Sequence, residues 1–151
     1  LTEKRNFQPE DFARFHPGGS LGRRLLTRVQ DVMCKEPLPV CAPTSSFREV
    51  VNAITYGRLG LTLVMDDEVL CGIITDGDVR RAFDTYEDVK SLHAEKIMTA
   101  NPLTITADTR FADAESYMRE KKVSALVVQD TAGKTVGVLQ IFGLKNESPR
   151  I

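Results

Sequence analysis

A hydroxyl, a carboxylate and two guanidinium groups fall close together at Thr75, Asp78, Arg80 and Arg81, within the run Gly-Ile-Ile-Thr-Asp-Gly-Asp-Val-Arg-Arg over residues 72–81. A carboxylate can accept hydrogen bonds from two sugar hydroxyls at once. Arginine matches phosphate in charge and geometry. Apolar residues run into this stretch from Val69, and a helix is expected to begin at Asp76–Asp78. A strand-to-helix junction exposes backbone N–H groups that favour anions. The same residues also read as ordinary helix capping by Asp76 or Asp78, and caps are commoner than sites.

The elements that would position these groups occur twice, with a period of about 65 residues, somewhat longer than most internal repeats. Asp31-Val32-Met33 corresponds to Lys96-Ile97-Met98, and Pro39-Val40 to Leu103-Thr104-Ile105. Ser46-Phe47-Arg48-Glu49 forms a capping box. It opens a helix whose Phe47, Val50, Val51 and Ile54 follow helical spacing. In the second unit Asp108 or Thr109 is expected to cap a helix with Phe111, Ala114 and Met118 on one face. The runs 60–65 and 124–128 read as buried strands, with return strands over 69–75 and 135–140 that align Gly72 with Gly137. Each unit therefore reads strand, helix, strand, strand, helix, an α/β (α+β) pattern. About 60 residues make only a marginal core. The two sheets are expected to pack on each other, giving one pseudo-twofold domain with two equivalent clefts.

The totals fit a single compact domain of 151 residues, 42% hydrophobic and 27% charged, with a formal net charge of −1. That balance exerts no general pull on nucleic acid or anionic membrane. The pairs Arg23-Arg24 and Arg80-Arg81 are too isolated to make a nucleic-acid stripe. No apolar run approaches the ~20 residues of a membrane span. Cys34, Cys41 and Cys71 include no C-x-x-C pair, and only His16 and His93 supply imidazoles. No metal site or disulfide framework is expected, and a reducing cytoplasm fits best. The polar start Leu-Thr-Glu-Lys-Arg carries no signal-peptide core, and without an initiator Met it suggests a piece of a longer protein.

Residues 1–28 read as a lead-in. A short helix is expected near Gln8-Pro9-Glu10-Asp11-Phe12, then a break at His16-Pro17-Gly18-Gly19, and Ser20 is placed to cap a helix through Leu25 and Leu26. The glycine-rich turn matches neither the dinucleotide fingerprint nor the P-loop, so a tight linker turn is the plainer reading.

Over residues 29–144 the doubled pattern, with its Val-Met and Ile-Met openings and its Gly-Ile-Ile-Thr-x-x-Asp ending, resembles a tandem CBS-domain pair, also called a Bateman module. The flank is more specific. Asp11-Phe12-Ala13, His16-Pro17-Gly18-Gly19 and Leu21-Gly22-Arg23 ahead of such a pair resemble the C-terminal half of the bacterial arabinose-5-phosphate isomerase family. The resemblance implies a linker from an N-terminal sugar isomerase domain over 1–28, repeats over 29–91 and 92–145, and a loose tail over 146–151. It implies that the parent enzyme interconverts D-ribulose 5-phosphate and D-arabinose 5-phosphate for Kdo synthesis, toward lipopolysaccharide or capsule. His16 would reach the active site only within the full-length enzyme; this segment alone is not expected to turn over substrate.

By family position, Thr75 and Asp78 would hold a ribose, Val40, Cys41, Gly60, Leu61 and Thr62 would flank a base, and Arg58 and Arg81 would reach phosphate. Plain core packing is the alternative for the apolar members. In the second unit Gln140 stands where Thr75 stands and Gly143 where Asp78 stands, so one competent cleft is expected rather than two. No cofactor is required. A nucleotide or nucleotide-sugar effector such as CMP-Kdo, sensed by a homo-oligomer, is the leading expectation; a structural dimerisation module that binds nothing is the alternative.

Overall fold

A computed structural model describes residues 26–141; the expectations for His16, the Ser20 cap, Gly143 and the tail lie outside them. Within that span the order is helix α1 (Val29–Val32), strand β1 (Val40–Cys41), helix α2 (Phe47–Gly57), strands β2 (Leu61–Asp66) and β3 (Val69–Thr75) and helix α3 (Asp76–Thr85). A 3-10 turn at Val89–Ser91 leads to helix α4 (Ala94–Ile97), strands β4 (Thr99–Ala100) and β5 (Thr104–Thr106), helix α5 (Phe111–Lys121) and strands β6 (Ala125–Gln129) and β7 (Thr135–Gln140). One sheet runs β1-β2-β3-β4 and the other β5-β6-β7. In each, the first strand is parallel to the second and the second antiparallel to the third.

Local chemistry sets the first unit's helix. Glu49 N–H donates to Ser46 Oγ at 3.1 Å and Ser46 N–H donates to Glu49 Oε1 at 2.8 Å, a complete capping box. Phe47, Val50 and Ile54 then bury along one face. The second unit differs from expectation. Neither Asp108 nor Thr109 caps α5; Arg110 holds the cap position without a side-chain bond. The Thr109 hydroxyl is engaged with Thr106 Oγ1 at 2.7 Å. The first N–H of α5, on Phe111, donates instead to the Thr27 carbonyl at 2.8 Å, so a distant backbone supplies what a cap would.

That contact belongs to an exchange between the units. Helix α1 buries Val29 among Phe111, Ala114, Met118, Leu126, Val128 and Leu139 of the second unit. Helix α4 buries Ala94 and Ile97 among Phe47, Val50, Ile54, Val64 and Ile74 of the first. Each opening helix thus completes the other unit's core. The segment behind it then lies along the other unit's return strand. β4 pairs with β3, and Cys34 exchanges backbone bonds with Val138 at 2.8 and 3.0 Å. Leu61 and Leu63 of one sheet meet Val127 and Val138 of the other, all buried, so the sheets pack face to face.

Gly72 and Gly137 permit the crossing. A Cβ on Gly72 would lie 2.5 Å from Met98 Sδ and 2.9 Å from the Thr99 carbonyl oxygen; on Gly137 it would lie 2.6 Å from Met33 Sδ and 2.7 Å from the Cys34 carbonyl oxygen. The methionine tips can yield, but the carbonyls are fixed in strand pairing. Gly72→Ala and Gly137→Ala should each destabilise the domain by about 1–3 kcal/mol through overpacking, read as a lower urea midpoint at unchanged slope.

Candidate functional site

The end of β3 and the start of α3 form one hydrogen-bonded unit. Thr75 is the last strand residue, with φ −105° and ψ 170°, and its extended backbone hangs the side chain over the helix's first turn. Asp78 N–H donates to Thr75 Oγ1 at 3.2 Å, and Thr75 N–H donates back to Asp78 Oδ2 at 3.0 Å. The cap is therefore Thr75. Asp76 and Asp78, expected as caps, occupy the first turn, with Asp78 as the reciprocal partner of a capping box.

Asp78 is only 7% exposed, and both its oxygens are engaged. Oδ2 also accepts from the Thr75 hydroxyl at 3.2 Å. Oδ1 accepts from Arg81 Nη2 at 2.5 Å and, at 3.5 Å, from the Thr99 hydroxyl. Arg81 is 71% exposed and its guanidinium reaches back over Gly77, where a Cβ would lie 3.4 Å from Nη1. The buried carboxylate is thus held at a helix N-terminus with a solvent-exposed cation on its outer oxygen. A diol arriving at Oδ1 would displace the guanidinium, which would then face any phosphate attached to that diol.

Thr99 is the member that local sequence reasoning missed. It sits on β4, brought to Asp78 by the exchange of opening segments. Only its place directly after Met98, in a repeat whose crossing was not foreseen, could have pointed to it.

The other expected residues separate. Gly60 adjoins the junction: its carbonyl accepts from Asp76 N–H at 3.1 Å, and Leu61 pairs with Thr75. Val40 pairs with Leu63 and shares its sheet-to-sheet face. Cys41 and Thr62 point the other way, toward the helices, where Cys41 packs against the core of Phe47, Val50 and Ile54. Strand alternation thus divides Val40, Cys41, Leu61 and Thr62 between two faces. Arg58 is exposed at the left-handed end of α2. At the second cleft Gln140 lies opposite Ala125, as Thr75 lies opposite Leu61. Its Nε2 donates to the Leu59 carbonyl across the unit boundary at 2.8 Å.

Cys34, Cys41 and Cys71 are free thiols. Burial pushes the Cys34 and Cys41 thiols above their ordinary value. Among the described residues no group of three or more His, Cys, Asp or Glu side chains is placed to hold a metal, and no helix is long and apolar enough to cross a membrane.

A family model described as CBS domain matches residues 29–85 and 94–142. The chain is 46% identical over 143 residues to arabinose 5-phosphate isomerase KpsF of Escherichia coli, spanning 94% of this chain and 43% of that protein. It is 42% identical over 146 residues to arabinose 5-phosphate isomerase KdsD of Pseudomonas aeruginosa, spanning 95% and 45%. The chain thus spans less than half the length of these curated relatives. Among solved structures, CBSX2 in complex with AMP superposes with a TM-score of 0.65 at 25% identity, covering 81% of this chain and 95% of that one.

Thr75→Ala should cost about 1 kcal/mol of stability through loss of the cap, with Thr75→Ser retaining most of it, as read by urea unfolding. Cys34 and Cys41 should alkylate more slowly than free cysteine at a common alkaline pH, because fewer of their thiols are ionised. Since the folded state holds protons the unfolded state would release, these thiols make stability fall as pH rises past the ordinary thiol value of 9.0.

Proposed function

The chain belongs to the CBS-domain family, and on that premise we propose that it is the ligand-sensing pair of an arabinose 5-phosphate isomerase. The single observation that carries the reading is the Asp78 carboxylate, buried at a helix start and covered on its outer oxygen by an exposed arginine. A nucleotide or nucleotide-sugar would place its ribose diol on Asp78 and Thr75 and its phosphate toward Arg81. The relative CBSX2, solved with AMP, supports a nucleotide as the ligand class. Feedback requires an effector unlike the substrate at a second site. A pathway end product such as CMP-Kdo meets that requirement. In this reading the parent enzyme is a cytoplasmic aldose–ketose isomerase acting on D-arabinose 5-phosphate and D-ribulose 5-phosphate, and His16 contributes to its active site from the linker. The engagement of Gln140 with Leu59 favours one competent cleft over two.

A second reading is a dimerisation module that binds nothing. Tyr56 on α2 and Phe83 on α3 favour it, being 80% and 58% exposed on the first unit's helix layer. Pairing through that layer is also compatible with ligand sensing.

A thermal-shift series with AMP, ATP, CMP and CMP-Kdo, run beside Asp78→Ala, separates the two. A ligand at 100 times its dissociation constant adds about 2.7 kcal/mol. Asp78→Ala also removes a capping-box partner, so the ligand-induced increment is compared rather than the absolute midpoint. One ligand should raise the midpoint of the wild-type chain, and Asp78→Ala should abolish that increment. An increment that survives the substitution removes Asp78 from the site, and no increment with any of the four leaves dimerisation as the function.

A further inference from the structure

At the opposite end of the strands from Asp78 lies a cavity of about 290 Å³ between the two sheets, lined by Glu36, Pro37, Leu38, Val40, Leu63, Met65 and Thr135. Thr135 is 9% exposed, and its Oγ1 is buried without a hydrogen-bond partner among the described residues. A buried hydroxyl left unpaired costs about 1–3 kcal/mol, so native structures rarely keep one without a use.

The repeat supplies an internal control. Thr135 pairs with Gln129, beyond a bulge that follows Val128; in the first unit the matching bulge places Leu70 opposite Met65. The fold thus accepts leucine at this register position, and strand pairing does not require the hydroxyl. It faces the apolar side chains of the other sheet, Leu63 and Met65, while Val40 at the cavity mouth stays 53% exposed. Along β7, Thr135 is five residues from Gln140, roughly 16 Å at ~3.3 Å per residue, and neither Thr75 nor Asp78 lines the cavity.

We propose that this cavity is a second binding site, for a small ligand that is uncharged or cationic and combines one apolar ring with one hydrogen-bonding group. Its volume is at the lower end for ligand pockets, which fits a single ring rather than a nucleotide. Leu38, Val40, Leu63 and Met65 would enclose the ring, and the Thr135 hydroxyl would bond the polar group. Among the described residues that line it Glu36 alone is charged, so phosphates and carboxylates are disfavoured. The cavity shares Val40 with the residues expected to flank a base, but its polar group is Thr135, not Thr75 or Asp78.

The test uses methyl-resolved NMR on the whole chain, with benzyl alcohol, benzylamine and benzoate as probes at up to roughly 10 mM, the range set by ligands of this size. Benzyl alcohol and benzylamine should shift the Met65 and Val40 methyl signals saturably, with benzoate at least about tenfold weaker. Thr135→Val should weaken benzyl alcohol about three- to tenfold, the worth of one neutral hydrogen bond, and should raise the melting temperature of the free protein. Asp78→Ala should leave benzyl alcohol binding unchanged. The proposal fails if no probe saturates the Met65 signal, if the shifts centre on Thr75, or if Thr135→Val binds benzyl alcohol as the wild type does. It fails equally if Thr135→Val lowers the melting temperature, because the hydroxyl would then already be satisfied within the fold.

Discussion

Each sheet in this protein has helices on only one face. The other face, centred on Leu61 and Leu63 in one sheet and Val127 and Val138 in the other, must be hidden by something. Burial of apolar area is worth roughly 25 cal/mol per Å², and neither unit alone has enough chain to cover both faces. Each unit is therefore the other's missing layer. The exchange of α1 and α4 deepens that dependence, because every helix-side core also contains side chains from the other unit. Gly72 and Gly137 are where the constraint tightens to a single atom: a crossing segment passes directly over each α-carbon.

Chemistry at the junction follows from this architecture. Asp78 is buried because a strand of its own unit and the crossing segment of the other converge on it, and each supplies a hydroxyl, from Thr75 and Thr99. The exposed Arg81 balances a charge that would otherwise be costly to bury. At the related position of the second unit, Gln140 spends its amide on a carbonyl of the first. Two clefts built by one pseudo-symmetric fold thus differ in electrostatics: one holds an ion pair, the other a neutral hydrogen bond.

Much of the fold was legible locally. The strands over 69–75 and 135–140 were bounded by composition and turns, and the Ser46–Glu49 box marked its helix start directly. Thr75, Asp78 and Arg81 were visible as a group because they lie within one turn and a half of helix. What was not legible came from distant contacts. The cap of α5 is a carbonyl from Thr27, more than eighty residues earlier. Thr99 reaches Asp78 only through the crossing. The base-flanking set failed to share one face for a simpler reason: neighbouring residues of a strand, such as Val40 and Cys41, point to opposite sides.

The crossing also bears on how such a chain comes into being. Cys34 waits for Val138, about a hundred residues later, before its backbone finds a partner. During synthesis at about 5–20 residues per second, the opening segment would stay unpaired for roughly 5–20 s. Until Ile97 emerges, some sixty residues later, the first unit lacks α4, and throughout the interval α1 has no complete core to enter. The first unit's helix-side core is complete by Met98, but its sheet-to-sheet face and the site that receives α1 close only when the last strand emerges.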